Sequence, residues 1–135
     1  MNNIYLYINN PLDLPDADAH PVDKITEIQD NSVDAFYLLD LLDYCTDNCD
    51  WILTTITNKL KDNGKIIIQA PDIKQLIVAI SFNTIDFNHG RSILYSNRLR
   101  MHTMSEIVKI IQSYKYDCII KTYINTFEYF LEFKK

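Results

Sequence analysis

The order of predicted elements gives an α/β fold whose sheet is mostly parallel and closes on a C-terminal antiparallel hairpin. Three observations carry this. Strand-length runs of β-branched and aromatic residues alternate with segments of helical spacing. One run, Lys65 to Ala70 (K-I-I-I-Q-A), is apolar without alternation, as in a strand buried on both faces. The tail carries two further strand-length runs separated by Asn125-Thr126. At 135 residues, 47% apolar and 23% charged, the chain has the size of one globular unit, and a single domain over residues 1–135 is expected.

Taken in order, Ile4-Tyr5-Leu6-Tyr7-Ile8 reads as a buried strand closed by Asn9-Asn10-Pro11. Pro11 to Pro21 holds three prolines with Asp13, Asp16 and Asp18, which propagate neither a helix nor a central strand, so an acidic loop is predicted. The turn cluster Asp30-Asn31-Ser32 then leads into Val33 to Leu39, a second buried strand. From Thr46 the spacing of Ile52, Leu53, Ile56 and Leu60 predicts a helix that stops at Asp62-Asn63-Gly64, ahead of the Lys65 to Ala70 strand. Pro71-Asp72 starts another helix running to Ser81, and the polar stretch Asn83 to Gly90 reads as the longest irregular piece. Thr103-Met104-Ser105-Glu106 is a capping-box start, and Ile107, Ile110 and Ile111 make the apolar stripe of a helix over 103–113. Tyr116 to Ile124 and Phe127 to Phe133 form the hairpin.

Composition excludes several classes. Only Gly64 and Gly90 occur where average usage of about 7% supplies nine or ten, so neither a dinucleotide fingerprint nor a P-loop fits. No stretch reaches the roughly 18 apolar residues of a membrane span, and Met1-Asn2-Asn3 lacks the basic start of a signal peptide. Cys45, Cys49 and Cys118 make an odd set without a CxxC pair, which predicts free thiols and a cytoplasmic setting. His20, His89 and His102 lack the spacing of a metal site. Residues 1–50 hold eleven acids and one base, a net of −10, and residues 51–135 twelve bases and seven acids, a net of +5. This asymmetry lets the halves attract within one fold or between copies, while the overall −5 argues against nucleic acid as a partner.

Three blocks, D-N-S-V-D-A-F-Y-L-L-D-L-L-D-Y at 30–44, L-K-D-N-G-K-I-I-I-Q-A-P-D at 60–72 and H-T-M-S-E-I at 102–107, resemble the second half of class I S-adenosylmethionine-dependent methyltransferases. The resemblance covers roughly residues 17–135 and implies a truncated Rossmann-like sheet. The family's first strand and its glycine-rich cofactor loop find no counterpart before Ile4, so the chain is expected to start late in the fold, with Ile4 to Ile8 as an early strand. The family's Leu-Glu-His-like triplet is here Leu42-Asp43-Tyr44, which keeps an acid and loses the histidine.

The resemblance implies S-adenosylmethionine as cofactor, with Asp18 and Asp23 near the ribose and adenine and His102 on the substrate side. Asp40 and Asp43 follow a buried strand at its carboxyl end, where open α/β sheets bind ligands, and join the cofactor set. Arg98 and Arg100 offer positive charge to a substrate phosphate or carboxylate. No catalytic residue is assigned. The leading expectation is a catalytically deficient methyltransferase-like protein, a binding or regulatory partner that self-associates or sits beside a complete methyltransferase. The alternative is an active enzyme using S-adenosylmethionine in a pocket completed by another subunit.

Overall fold

A computed structural model describes residues 1–9, 11–45, 49–96 and 98–135. Among these residues, six strands and four α-helices follow in the order β1 (Asn3–Tyr7), β2 (Asp18–Pro21), β3 (Val33–Leu39), α1 (Asp50–Lys59), β4 (Leu60–Pro71), α2 (Ile73–Ser81), α3 (Phe87–Leu94), α4 (Met104–Gln112), β5 (Asp117–Tyr123) and β6 (Glu128–Lys134). Short 3-10 turns cover Val22–Glu27 and Leu41–Tyr44. One sheet in the order β2-β1-β3-β4-β6-β5 contains every strand. The first four are parallel, and the β5–β6 hairpin joins β4 in antiparallel register, as the sequence predicts.

From β1 the chain steps outward to β2 and then returns to the other side of β1 to lay down β3. This reversal makes the carboxyl ends of β1 and β3 the switch point of the sheet, the place where doubly wound folds open a ligand crevice. The connection from Ile8 to Ala17 between β1 and β2 holds no glycine.

Strand alternation sorts the side chains into two faces. On one, Ile4, Leu6, Phe36, Leu38, Ile66, Ile68, Leu131 and Phe133 pack against Ile25 of the first 3-10 turn, Ile52 and Ile56 of α1, and Ile107 and Ile111 of α4. These helices are amphipathic, and the spacing read from the sequence marks the residues they bury.

Several expectations are corrected. The predicted Pro11 to Pro21 loop ends in strand β2. Its proline is tolerated because this edge strand pairs only with β1, and Pro21 is its last residue. The helix predicted from Thr46 begins, among the described residues, at Asp50, residues 46–48 lying outside them. It ends at Lys59, not at Gly64. The amides of Asn31 and Ser32 take the carbonyls of Asn58 and Lys59 at 3.0 and 2.9 Å, and the chain leaves directly into β4. Gly64 lies inside β4, where a Cβ would stand 2.8 Å from the Lys61 carbonyl oxygen. The polar stretch 83–90 holds the first half of α3, capped by the Asp86 side chain accepting from the His89 amide at 3.0 Å. The capping box at Thr103 and Glu106 is formed as predicted. No helix among the described residues is long and apolar enough to cross a membrane.

Candidate functional site

β3 delivers Asp40 and Asp43 to the carboxyl edge of the sheet by a sharp change of direction. Asp40 takes a left-handed conformation at φ 59°, and the turn Leu41–Tyr44 then folds Asp43 inward until none of it is exposed. Aspartate visits this backbone region more readily than most residues because its short side chain bonds locally.

The segment 98–104 is laced across this edge. Arg98 Nη1 donates to Asp43 Oδ2 at 2.7 Å and stands 3.4 Å from Asp40 Oδ1, while its guanidinium lies 5.3 Å over the Tyr44 ring. The Asp43 carbonyl accepts from the amides of Leu99 and Arg100 at 2.8 and 3.0 Å. Farther along, His102 forms a parallel bridge with Asp72, and the Ile73 amide donates to the His102 carbonyl at 3.1 Å.

Asp72, at the end of β4, is 2% exposed and binds four donors. Oδ1 caps α2 through the amides of Lys74 and Gln75, and Oδ2 accepts from the Met104 amide and the Tyr123 hydroxyl, both at 2.9 Å. Burial, then the Asp72 carboxylate, pushes the Tyr123 hydroxyl up to about 12.

Electrostatics here are those of a closed network. Burial raises the Asp40 carboxyl above its usual value, more than neighbouring Arg98 lowers it. Arg98 responds differently: burial pulls its pKa down, and the attraction of Asp40 and Asp43 more than restores it. At the middle of the cluster, His102 Nδ1 and Nε2, Asp43 Oδ1, Arg98 Nε and the Tyr129 hydroxyl have no hydrogen-bond partner among the described residues. Burial and the charges of Asp43, Asp40 and Asp72 raise the Tyr129 hydroxyl.

The switch-point crevice beside this network is small. It encloses about 130 Å3 between Tyr5, Tyr7, Ile8, Asn9, Leu41 and Tyr44. Pockets for cofactor-sized ligands run from about 300 to 1,000 Å3. The connection after β1 also lacks a glycine that would let a ligand approach the backbone closely there. Among the described residues no group of three His, Cys, Asp or Glu side chains is placed to hold a metal ion.

No family model matches the sequence, and no curated protein matches it. Solved structures do match the fold. A Pyrococcus horikoshii OT3 protein superposes with a TM-score of 0.64 at 12% identity, over 87% of this chain and 58% of that one. A Thermotoga maritima S-adenosylmethionine-dependent methyltransferase gives 0.60 at 12% identity, over 88% and 63%. This chain has a class I methyltransferase fold. A third match is a chain of the complex formed by the Trm112 methyltransferase activator of Haloferax volcanii, at 0.61 and 12% identity, over 91% and 63%. The chain thus spans about three fifths of the length of these methyltransferase-fold relatives.

Within this fold the predicted residues separate into two groups. Asp40, Asp43, Arg98 and His102 come together, and Arg100 joins them through its backbone amide. Asp18 lies at the start of β2, level with Ile4 and at the opposite end of the sheet. Asp23 is exposed in the first 3-10 turn, beyond the carboxyl end of the edge strand. Asp72 and Tyr129 complete the network without having been singled out in the sequence. The rule that selects Asp40, an acid closing a buried strand, applies equally to Asp72.

Proposed function

We propose that this chain is a single-domain, catalytically deficient protein of methyltransferase fold that acts as a binding or regulatory partner, of a second copy of itself or of a complete methyltransferase. One observation carries the reading. Asp43, the acid at the ligand edge, is wholly buried, with one carboxylate oxygen on Arg98 and its carbonyl on two amides of the same segment. A cofactor-facing carboxylate must be reached by ribose hydroxyls or an adenine amine, and here Asp43 presents no surface to a ligand while Arg98 neutralises its charge internally. The narrow crevice supports the same reading. The odd cysteine count supports a cytoplasmic setting, and the acidic net charge a partner other than nucleic acid.

A second reading draws on the unpartnered polar atoms of His102 and Tyr129 at the same edge. In it the protein is an active methyltransferase, or another enzyme using S-adenosylmethionine, whose pocket is completed by another subunit. Isothermal titration of the purified chain with S-adenosylmethionine and S-adenosylhomocysteine separates the two. The partner reading expects no detectable heat of binding, and a dissociation constant tighter than about 100 μM, roughly 5.5 kcal/mol, overturns it.

A further inference from the structure

The core cluster lies on one side of the sheet. On the other, outside that cluster, half-buried Tyr37, Leu39 and Phe130 form an apolar surface around the buried Tyr5 and Ile67. Tyr37, Ile67 and Phe130 line two adjoining grooves of about 210 and 360 Å3, the smaller walled on one flank by the loop from Leu14 to Ala17. Largely parallel sheets bury both faces, because the strands present apolar side chains on each. A second layer over this face would have to come from another molecule.

Charge identifies that molecule. Asp16 lines the groove on the β1 flank, and Lys134 stands on the same face at the β6 flank. Both are exposed, and neither takes part in an ion pair among the described residues. They also share a height along the strands. The Asn3 side chain donates to the Asp16 carbonyl at 3.0 Å, and Asn3, Ala35, Lys65 and Lys134 stand in register across β1, β3, β4 and β6.

The geometry points to a homodimer closed through this face, its two-fold axis parallel to the strands between β3 and β4. That operation exchanges the flanks and keeps height along the strands, so Asp16 of each copy comes over Lys134 of the other. It likewise sets the acidic N-terminal part of one chain against the basic remainder of the other. An axis running across the strands would stack acid on acid. Face-packed sheets lie about 10 Å apart with strands within about 30° of one another, which this arrangement satisfies. The loop brings Leu12, 57% exposed, onto the partner's β6 flank as an apolar contact.

The inference rests on the proposed partner role and names a second copy as the partner. Light scattering of the full chain over a range of concentrations is expected to give twice the 15.9 kDa chain mass. Asp16→Lys and Lys134→Asp, both exposed changes compatible with folding, are each expected to weaken the dimer at least about tenfold, and the double exchange to restore it. A monomeric wild type overturns the dimer, as does one indifferent to both changes or not restored by the exchange. A dimer that binds S-adenosylmethionine overturns the catalytic deficiency and leaves this face standing, so the two failures are distinguishable.

Discussion

His102 Nδ1 faces Asp43 Oδ1 across 3.7 Å, and no hydrogen bond closes the gap. Both side chains are inaccessible to water, so each atom has lost hydration without a replacement among the described residues. Such a loss costs about 1–3 kcal/mol for each polar group. His102→Leu is therefore expected to leave stability unchanged or to raise it by about 1 kcal/mol, read from urea denaturation. A loss above about 2 kcal/mol would show that the imidazole has a partner this arrangement does not provide.

Breaking the neighbouring ion pair has the opposite sign. Asp43→Ala leaves the 10%-exposed Arg98 side chain with the 3.4 Å contact to Asp40 as its one ion pair among the described residues, and a destabilisation of about 3–5 kcal/mol is expected. Replacing both partners, Asp43→Leu with Arg98→Met, removes the uncompensated charge and is expected to cost less than the single change. Denaturation midpoints of the three variants test this order.

Asp40 gives a pH signature. Burial holds its folded-state carboxyl above the unfolded value, so the folded chain keeps the proton longer, and ionisation costs the native state more than the unfolded one. Its contribution to stability is present below the unfolded value of about 3.9 and is lost as pH rises through the raised folded value. Asp40→Asn keeps a residue suited to φ 59° and removes the titration. The stability gap between wild type and Asp40→Asn is expected to shift in favour of the variant as pH rises across that window. A gap independent of pH contradicts the assignment.

Asp72 holds three separate pieces of chain through one carboxylate. Asp72→Ala removes the α2 cap and the contacts to Met104 and Tyr123, at an expected cost of about 2 kcal/mol or more. Hydrogen exchange of the Lys74, Gln75 and Met104 amides is expected to accelerate in this variant ahead of amides within β3. Uniform acceleration would mean that Asp72 acts only through global stability.

The thiols differ in reactivity. Cys45 is half-buried, and its thiol is lowered by a hydrogen bond with Cys49 against the effect of burial. Cys49 is buried and raised by the same bond and by burial. Limited alkylation at neutral pH is expected to label Cys45 before Cys49, by peptide mass mapping. Equal labelling rules out the difference.

Long apolar runs made much of the fold legible. Val33 to Leu39 and Lys65 to Ala70 declare themselves because their side chains bury whatever their neighbours do, and the Thr103 capping box is entirely local. Asp18–Pro21 was not legible: a four-residue edge strand with an acid and a proline is a strand only because β1 lies beside it. α3 is hidden for a related reason, since Gly90, its one buried residue, is selected by Ile80 of α2, whose Cγ1 would stand 2.5 Å from a Cβ there. At the site, the ligand-edge rule identifies Asp40 and Asp43, whereas the union of Asp43 with Arg98 spans 55 residues and follows from topology. Asp72 reads in the sequence as a helix start alone, because its local role as a cap already accounts for an aspartate there.

The central position of β1 bears on how the chain assembles as it is made. Asn3–Tyr7 is made well before its hydrogen-bonding neighbour on the inner side, β3, which begins only at Val33. Until that segment has left the ribosome, an aromatic, β-branched edge waits unpaired, open to the same segment of a neighbouring nascent chain. The four-residue β2, arriving first, is a temporary cover for one side of it. Slowing synthesis between residues 21 and 39 would therefore prolong the exposed interval, and the yield of folded protein, more than its final stability, would register the change.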